Sequence, residues 1–408
     1  MTTGFFFRAS LATAMLGAAM AAAADDLPSR EEMWNIIQQQ QKQIEALQKS
    51  QQTTQQQAEE ANQKAEAAVE VAEESQQTAS TAASWAENTQ IGGYGELHYN
   101  NLDSKEEIDF HRFVLFFGHQ FTDRLRMFSE LELEHAVSGD GQNGELELEQ
   151  AYIEYDITAN QHVKGGLFLL PVGILNETHE PPTFYGVERN PVEKNIIPTT
   201  WWAGGAALNG EIVPGWSYDL AVHEGLKTSA ADKYTIRKGR QKTSQADAND
   251  LAYTGRVKWT GMPGIELAAS VQYQEDVTQG KERDAGHAWL YEAHAAIRRG
   301  GFGFRALYAL WNLDGSGPDA IGADEQEGYY IEPSYRFTTR IGELGFFARY
   351  NRWDNQAGNN SDTEKKQYNT GVNYWPHPDV VLKADIQGQD NKGAKNDNGF
   401  NLGIGYQF

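Results

Sequence analysis

Apolar residues recur along this chain with two different periods, and the change from one to the other divides it. Alternate steps of four and three from Met33 land on Met33, Ile37, Ile44, Leu47, Ala58, Ala61, Ala65, Ala68, Ala72, Ala79, Ala82 and Ala86, interrupted only by Gln40, Gln51, Thr54 and Ser75. A seam of this period, in a stretch with no Gly or Pro between positions 31 and 88, predicts an α-helical coiled coil. Most of the seam is alanine, so the helices have to approach closely. The alternative is a solvated low-complexity linker, because alanine buries little area.

From Ile91 the period becomes 2. Leu125, Met127, Ser129, Leu131 and Leu133 alternate with Arg124, Arg126, Phe128, Glu130 and Glu132, and the same alternation returns in Ile265 to Tyr273, Trp289 to Ile297 and Val380 to Ile386. Such runs are strands with one apolar and one polar face. Short connections with turn chemistry fall at 122–123, 158–160, 214–215, 261–263, 299–300, 338–340 and 376–378. Longer ones fall near 102–106, 137–144, 172–202, 225–249, 276–284, 314–324, 355–363 and 391–396. Seven short and eight long connections, in strict alternation, join sixteen strands. A soluble sandwich has no reason to alternate its connections. The expected fold is therefore all-β, a sixteen-stranded antiparallel transmembrane β-barrel preceded by an α-helical coiled coil. Trp216, Trp259, Phe302, Tyr335, Phe337, Tyr374 and Tyr406 gather near the short-turn ends, where an interfacial girdle belongs.

Composition agrees with this. The 408 residues carry a net charge of −23, and mean hydropathy is −0.62. No apolar run long enough for a membrane helix follows residue 25, yet barrel strands average out as polar. The acidic balance excludes nucleic acid as a partner, and the absence of cysteine excludes disulfides and thiol chemistry.

The two ends carry addressing patterns. Residues 1–24 place Arg8 before an apolar stretch from Leu11 to Met20 and then Ala22, Ala23 and Ala24, which predicts a secretory signal peptide. The expected organisation is a signal peptide at 1–24, a periplasmic helical segment at 25–90 and the barrel at 91–408, with a long third loop at 172–202. At the other end Phe400, Leu402, Ile404, Tyr406 and the final Phe408 alternate with Asn401, Gly403, Gly405 and Gln407. That pattern looks like the assembly signal read by the barrel-insertion machinery of outer membranes.

The third loop is the longest and mixes Pro, aromatic and charged residues, among them Glu177, His179, Glu180, Phe184, Glu188, Arg189, Glu193 and Lys194. At Phe168, Pro171, Gly173, Phe184, Glu188 and Arg189 the chain resembles the phosphate-selective porin O/P family of Gram-negative bacteria, and the resemblance extends over roughly residues 91–408. The continuation from Val192 to Trp202 is longer than in the phosphate-specific members. The resemblance implies a homotrimeric outer-membrane channel whose third loop folds inward and narrows the pore.

Strand alternation assigns the lumen charges independently. If the apolar face meets lipid, then Arg112, Arg124, Arg126, Arg256 and Lys258 face water, as do Arg298, Arg305, Arg336, Arg349 and Lys383. The last five, from strands ten to thirteen and fifteen, form a basic wall. Opposite the acidic third loop, such a wall sets a transverse field that discriminates ions. Inward Glu130, Glu132, Glu154, Glu266, Glu292, Glu332 and Asp385 leave open a lumen of locally paired charges instead. Loop 225–249 holds six basic and two acidic residues, a local charge of +4. It reads either as an attractor of anions or lipopolysaccharide phosphates at the mouth, or as a solvated mobile loop.

No G-x-S-x-G, P-loop or H-E-x-x-H motif occurs, and no second histidine follows His179 at metal-ligand spacing. Neither cofactor nor metal is expected. The function read from the sequence is passive diffusion of small hydrophilic or ionic solutes, anions such as phosphate included. The partners expected are the lipid and lipopolysaccharide around the barrel and the assembly machinery. A structural protein tethered to peptidoglycan through its coil is the alternative, and a hydrolase a more remote one.

Overall fold

The computed structural model describes residues 84–408 except 137–140, 142–143 and 361, together with seven helical positions between 31 and 59. The signal segment and, Ala86 apart, the whole heptad seam lie outside the described residues. The chain divides into two units, 1–83 and 84–408.

In the second unit the period-2 segments become sixteen strands. They are β1 (Thr89–Leu102), β2 (Lys105–Thr122), β3 (Leu125–Glu134), β4 (Leu146–Thr158), β5 (Gln161–Leu169), β6 (Trp202–Val213), β7 (Trp216–His223) and β8 (Ala252–Met262). Then come β9 (Ile265–Gln274), β10 (Ala288–Arg299), β11 (Phe302–Leu313), β12 (Glu325–Thr339), β13 (Gly342–Asp354), β14 (Lys365–His377), β15 (Val380–Asn391) and β16 (Gly399–Gln407). Each pairs antiparallel with its sequence neighbours, and β1 closes on β16 in a register running from Tyr94↔Gln407 to Leu102↔Gly399. Closure leaves no unpaired strand edge, which hydrocarbon would not tolerate.

All seven short connections have two residues, as the strand bounds show. At the β8–β9 turn Gly264 takes φ +76°, and an added Cβ would lie 2.0 Å from the Arg298 carbonyl oxygen, so only glycine fits. At the opposite end the loops are 135–145 (L2), 170–201 (L3), 224–251 (L4), 275–287 (L5), 314–324 (L6), 355–364 (L7) and 392–398 (L8). The first connection there corrects the sequence expectation. Instead of a loop near 102–106 it is only Asp103 and Ser104, because Lys105 is already paired opposite Leu102.

Alternation sorts the wall as expected. In β16 Phe400, Leu402 and Ile404 are exposed on the outside while Asn401, Gly403 and Gly405 are buried inside. Phe408 exchanges backbone hydrogen bonds with Gly93 at 2.9 and 3.0 Å, and its ring stacks on Phe113 and Tyr406. Near the short turns Trp216 lies across from Trp259, Tyr335 and Phe337 stack, and Tyr374 donates to the Ile341 carbonyl. Replacing Ile386, 59% exposed in the middle of β15, with arginine should cost about 2–4 kcal/mol, the penalty of a charge near the bilayer midplane. Urea unfolding in lipid vesicles measures it, and a change below 1 kcal/mol would place this face away from lipid.

The hydrophobic core lies inside the barrel. L3 residues Phe184, Val192, Ile196, Ile197 and Trp201 join Leu226 and Ile236 of L4 against the inner faces of β10 to β13, at Leu290, Leu307, Trp311, Tyr330 and Trp353. Two loops therefore fold inward and fill one side of the lumen.

Candidate functional site

L3 leaves the wall after Leu169 and is tied shut at its neck. Asn176 Nδ2 donates to the carbonyls of Leu170 and Trp201, both at 2.8 Å, while its Oδ1 accepts from the Trp201 N–H. Glu193 knots the interior. One of its oxygens accepts from the N–H groups of Ile174 and Leu175 at 2.6 Å each, and the other from Asn190 Nδ2 and the Tyr330 hydroxyl at 2.9 Å. Gly173, at φ +78°, makes this approach possible: a Cβ there would sit 2.6 Å from the Glu193 carboxylate.

The limb from Pro182 to Glu188 is pinned to the opposite strands. Trp375 donates to the Pro182 carbonyl, Asn373 to that of Phe184, and the Val187 N–H donates to Asp385. Arg349 donates to the carbonyls of Tyr185 and Glu188 at 3.2 Å and pairs with Glu332 at 3.2 Å. Arg305 donates to Thr183 O at 2.8 Å, and the Lys383 ammonium rests 3.4 Å from the Phe184 ring centre. Arg336 pairs with Glu343 and lies over Trp375. Of the five basic residues expected to face L3 across water, Arg349, Arg305 and Lys383 touch it and hold it in place. Arg298 is exposed and lines the chamber at the short-turn end with Arg305 and Arg336.

The acidic residues of L3 are likewise engaged one by one. Glu177 pairs with Arg256, which also pairs with Asp219. Glu188 lies 3.1 Å from His98 and accepts from Asn100. Burial opposes ionisation of Glu188, but the neighbouring His98 outweighs it and holds the carboxyl well below its usual range. Glu193, expected as a filter charge, is fully buried within L3. The Glu180 carbonyl accepts from Thr183 in a tight turn. His179 is buried against β3 and β4, 3.4 Å from Glu130. Among the other basic residues, Arg112 pairs with Glu96 and Glu132, and Arg126 with Glu154 and Asp156. Lys258 lies beside Asp219 near the short turns. Arg124 departs from its expected place, since it occupies the two-residue turn before β3 and is exposed at the rim.

L4 departs furthest from a solvated loop. Arg237 donates to the carbonyls of Lys194 and Thr199, Arg240 donates to that of Thr200, and Arg189 donates to the Thr200 hydroxyl at 2.7 Å. Lys242 pairs with Glu145 and Glu147. Arg189, Lys194, Arg237 and Arg240 thereby line one chamber on the loop side of L3. That space is about 300 Å³, against about 1000 Å³ on the short-turn side, so the confinement is greater where the four cations gather. Desolvation, with Arg237 as the nearest like charge, holds the Lys194 ammonium below its usual range. Sequence reasoning placed Arg189 and Lys194 in the third loop and Arg237 and Arg240 in a basic loop read as an anion attractor at the mouth or a solvated loop, and did not bring the two together. The basic run at 233–242 was the only signal for Arg237 and Arg240.

A family model for Gram-negative porins matches residues 201–394, from the end of L3 to the start of L8. An uncharacterised protein of Aquifex aeolicus is 32% identical over 352 residues, covering 79% of this chain and 80% of the relative. Over residues 201–394 the chain is a Gram-negative porin. Solved structures share the porin fold at low identity. The outer-membrane channel DcaP of Acinetobacter baumannii is 16% identical with a TM-score of 0.54, over 78% of this chain and 97% of that one. The anion-selective porin of Comamonas acidovorans is 12% identical with a TM-score of 0.55, over 78% and 99%. The trimer form of OmpT from Vibrio cholerae is 11% identical with a TM-score of 0.52, over 78% and 99%. This porin is an outer-membrane channel for passive diffusion, not an enzyme, and its loop-bearing end faces outward as porin loops do.

Proposed function

We propose that the channel prefers small anions, inorganic phosphate among them, and that the preference is set where L3 meets L4. One observation carries this reading. Arg189, Arg237 and Arg240 are held by carbonyl or hydroxyl oxygens, and among the described residues none of them, nor Lys194, forms an ion pair. The carboxylates of the same chamber, Glu134 and Glu149 excepted, have a basic or imidazole partner within 4 Å. Positive charge without an ion-pair partner, in a confined low-dielectric passage, raises the concentration of anions there. Arg298, exposed in the short-turn chamber, extends the same path.

Reversal potentials in a salt gradient test this. The wild-type channel should favour anions, and Lys194→Glu, at an exposed position outside the loop's bonding, should shift permeability toward cations. Raising the pH should weaken the wild-type preference earlier than an ordinary lysine would, because Lys194 contributes only while protonated and its ammonium, though it reaches water, is partly desolvated by the surrounding lumen, which lowers its pKa. Both effects should shrink at 1 M salt, where the Debye length is ~3 Å. A cation-selective wild-type channel, or an unchanged potential in Lys194→Glu, ends the reading.

The assembly proposed is a homotrimer, with residues 1–24 removed on export and the helical segment 25–90 forming a three-stranded coil in the periplasm. Three amino termini on one side would give each alanine-rich seam its partners. The exposed belt of the barrel would meet lipid and lipopolysaccharide, and strand 400–408 would be read by the assembly machinery. Cross-linking of the mature protein that returned only monomers would refute the trimer.

A further inference from the structure

The contact that holds His179 to the barrel wall has a chemistry that the pore does not use. His179 Nδ1 lies 3.1 Å from the Asn176 carbonyl oxygen. A carbonyl can only accept, so Nδ1 carries the hydrogen and Nε2 of the neutral ring is a bare lone pair. That lone pair faces Glu130 Oε1 at 3.4 Å and Glu149 Oε2 at 3.7 Å, on adjacent strands β3 and β4. The three side chains are 3%, 1% and 2% exposed, and the three atoms lie within 4.8 Å of one another. None of the three atoms has a hydrogen-bond partner among the described residues. Gln150 donates to the other oxygen of Glu130 at 2.7 Å, which orients the carboxylate and leaves Oε1 over. The Tyr94 hydroxyl, fully buried and also without a partner, belongs to a ring set edge-on to His179. Glu132, paired with Arg112, is a further carboxylate beside Glu149.

Three acceptors pointing at one another in a dry space repel, so a positive species has to lie between them. We infer that this is a binding site for a divalent metal ion of the Zn2+ class, formed by His179, Glu130 and Glu149, which fastens L3 to the barrel wall. One imidazole and two carboxylates are a donor set suited to such an ion, and their charge of −2 matches it. Ligands about 2.1 Å from an ion at tetrahedral angles stand roughly 3.4 Å apart, close to the separations found. The carbonyl on Nδ1 is the usual second-shell partner of a ligating histidine. The ligands come from a loop and two strands, so no local spacing in the sequence betrays them.

The test is metal content after refolding of the full chain in detergent with Zn2+ and removal of excess ion. A background of His135→Ala with His162→Ala removes the two other groups of metal-type ligands among the described residues, Asp109, His111 and His135, and Glu154, Asp156 and His162. One Zn2+ per chain is expected, falling at least tenfold in His179→Gln with Glu149→Gln. A second measurement needs no site variant: the background chain refolded with Co2+ should show the visible absorption of a tetrahedral N/O site. Metal retained in the double variant overturns the site. So does a background chain that binds neither ion.

Discussion

Replacing Glu193 with alanine should raise single-channel conductance several-fold and make it noisy, while the barrel itself survives. The carboxylate accepts four hydrogen bonds that join the two limbs of L3 to each other and to Tyr330 of β12. Without it the N–H groups of Ile174 and Leu175 are left buried and unpaired, at about 1–3 kcal/mol each, enough to release the loop from a core of modest size. No strand-to-strand bond is touched, so the folded protein should still migrate anomalously without heating in electrophoresis. Glu193→Gln, which keeps an acceptor oxygen, should fall between. Wild-type conductance in Glu193→Ala would mean that the apolar contacts of Trp201 and Ile196 suffice to hold the loop.

Deleting Phe408 is expected to lower the amount of folded protein in the outer membrane by an order of magnitude. The residue forms the last backbone pair of the β1–β16 seam, with Gly93, and its ring covers Phe113. The rest of the seam, from Tyr94↔Gln407 to Leu102↔Gly399, stays intact. The deletion should therefore refold in detergent with a loss of about 1–3 kcal/mol, of the order of one backbone pair and a partial ring contact. A large defect in cells beside a small one in detergent would locate the effect in recognition during assembly. Normal membrane levels would show that the terminal residue is dispensable.

The barrel was legible because its signals are local. Alternation assigns a side chain to lipid or lumen within a few residues, and two-residue turns such as Pro214-Gly215 announce themselves. The same alternation assigned Arg256, Arg349 and Lys383 to the lumen, and the structure buries all three. It could not say what lies across the lumen, because a partner such as Tyr185 is 164 residues from Arg349 in sequence. Glu193 illustrates the limit. As a charge in a loop it read as part of a filter, but four donors brought from L3 and β12 make it a buried structural anchor. Arg237 and Arg240 failed in the opposite sense. A basic, polar run has the composition of a solvated loop, and only carbonyls turned outward by L3 give it somewhere to dock.

That docking makes one outward-facing segment answer to two demands. Surface loops ordinarily vary at little cost to the structure that carries them. L8 keeps its hydrogen bonds among neighbouring strand ends and can drift in that way. L4 holds Lys194, Thr199 and Thr200 with the same residues that line the narrow chamber. Surface drift at Arg237 or Arg240 would therefore disturb the narrow chamber as well, so the outer face and the passage beneath it cannot change independently there.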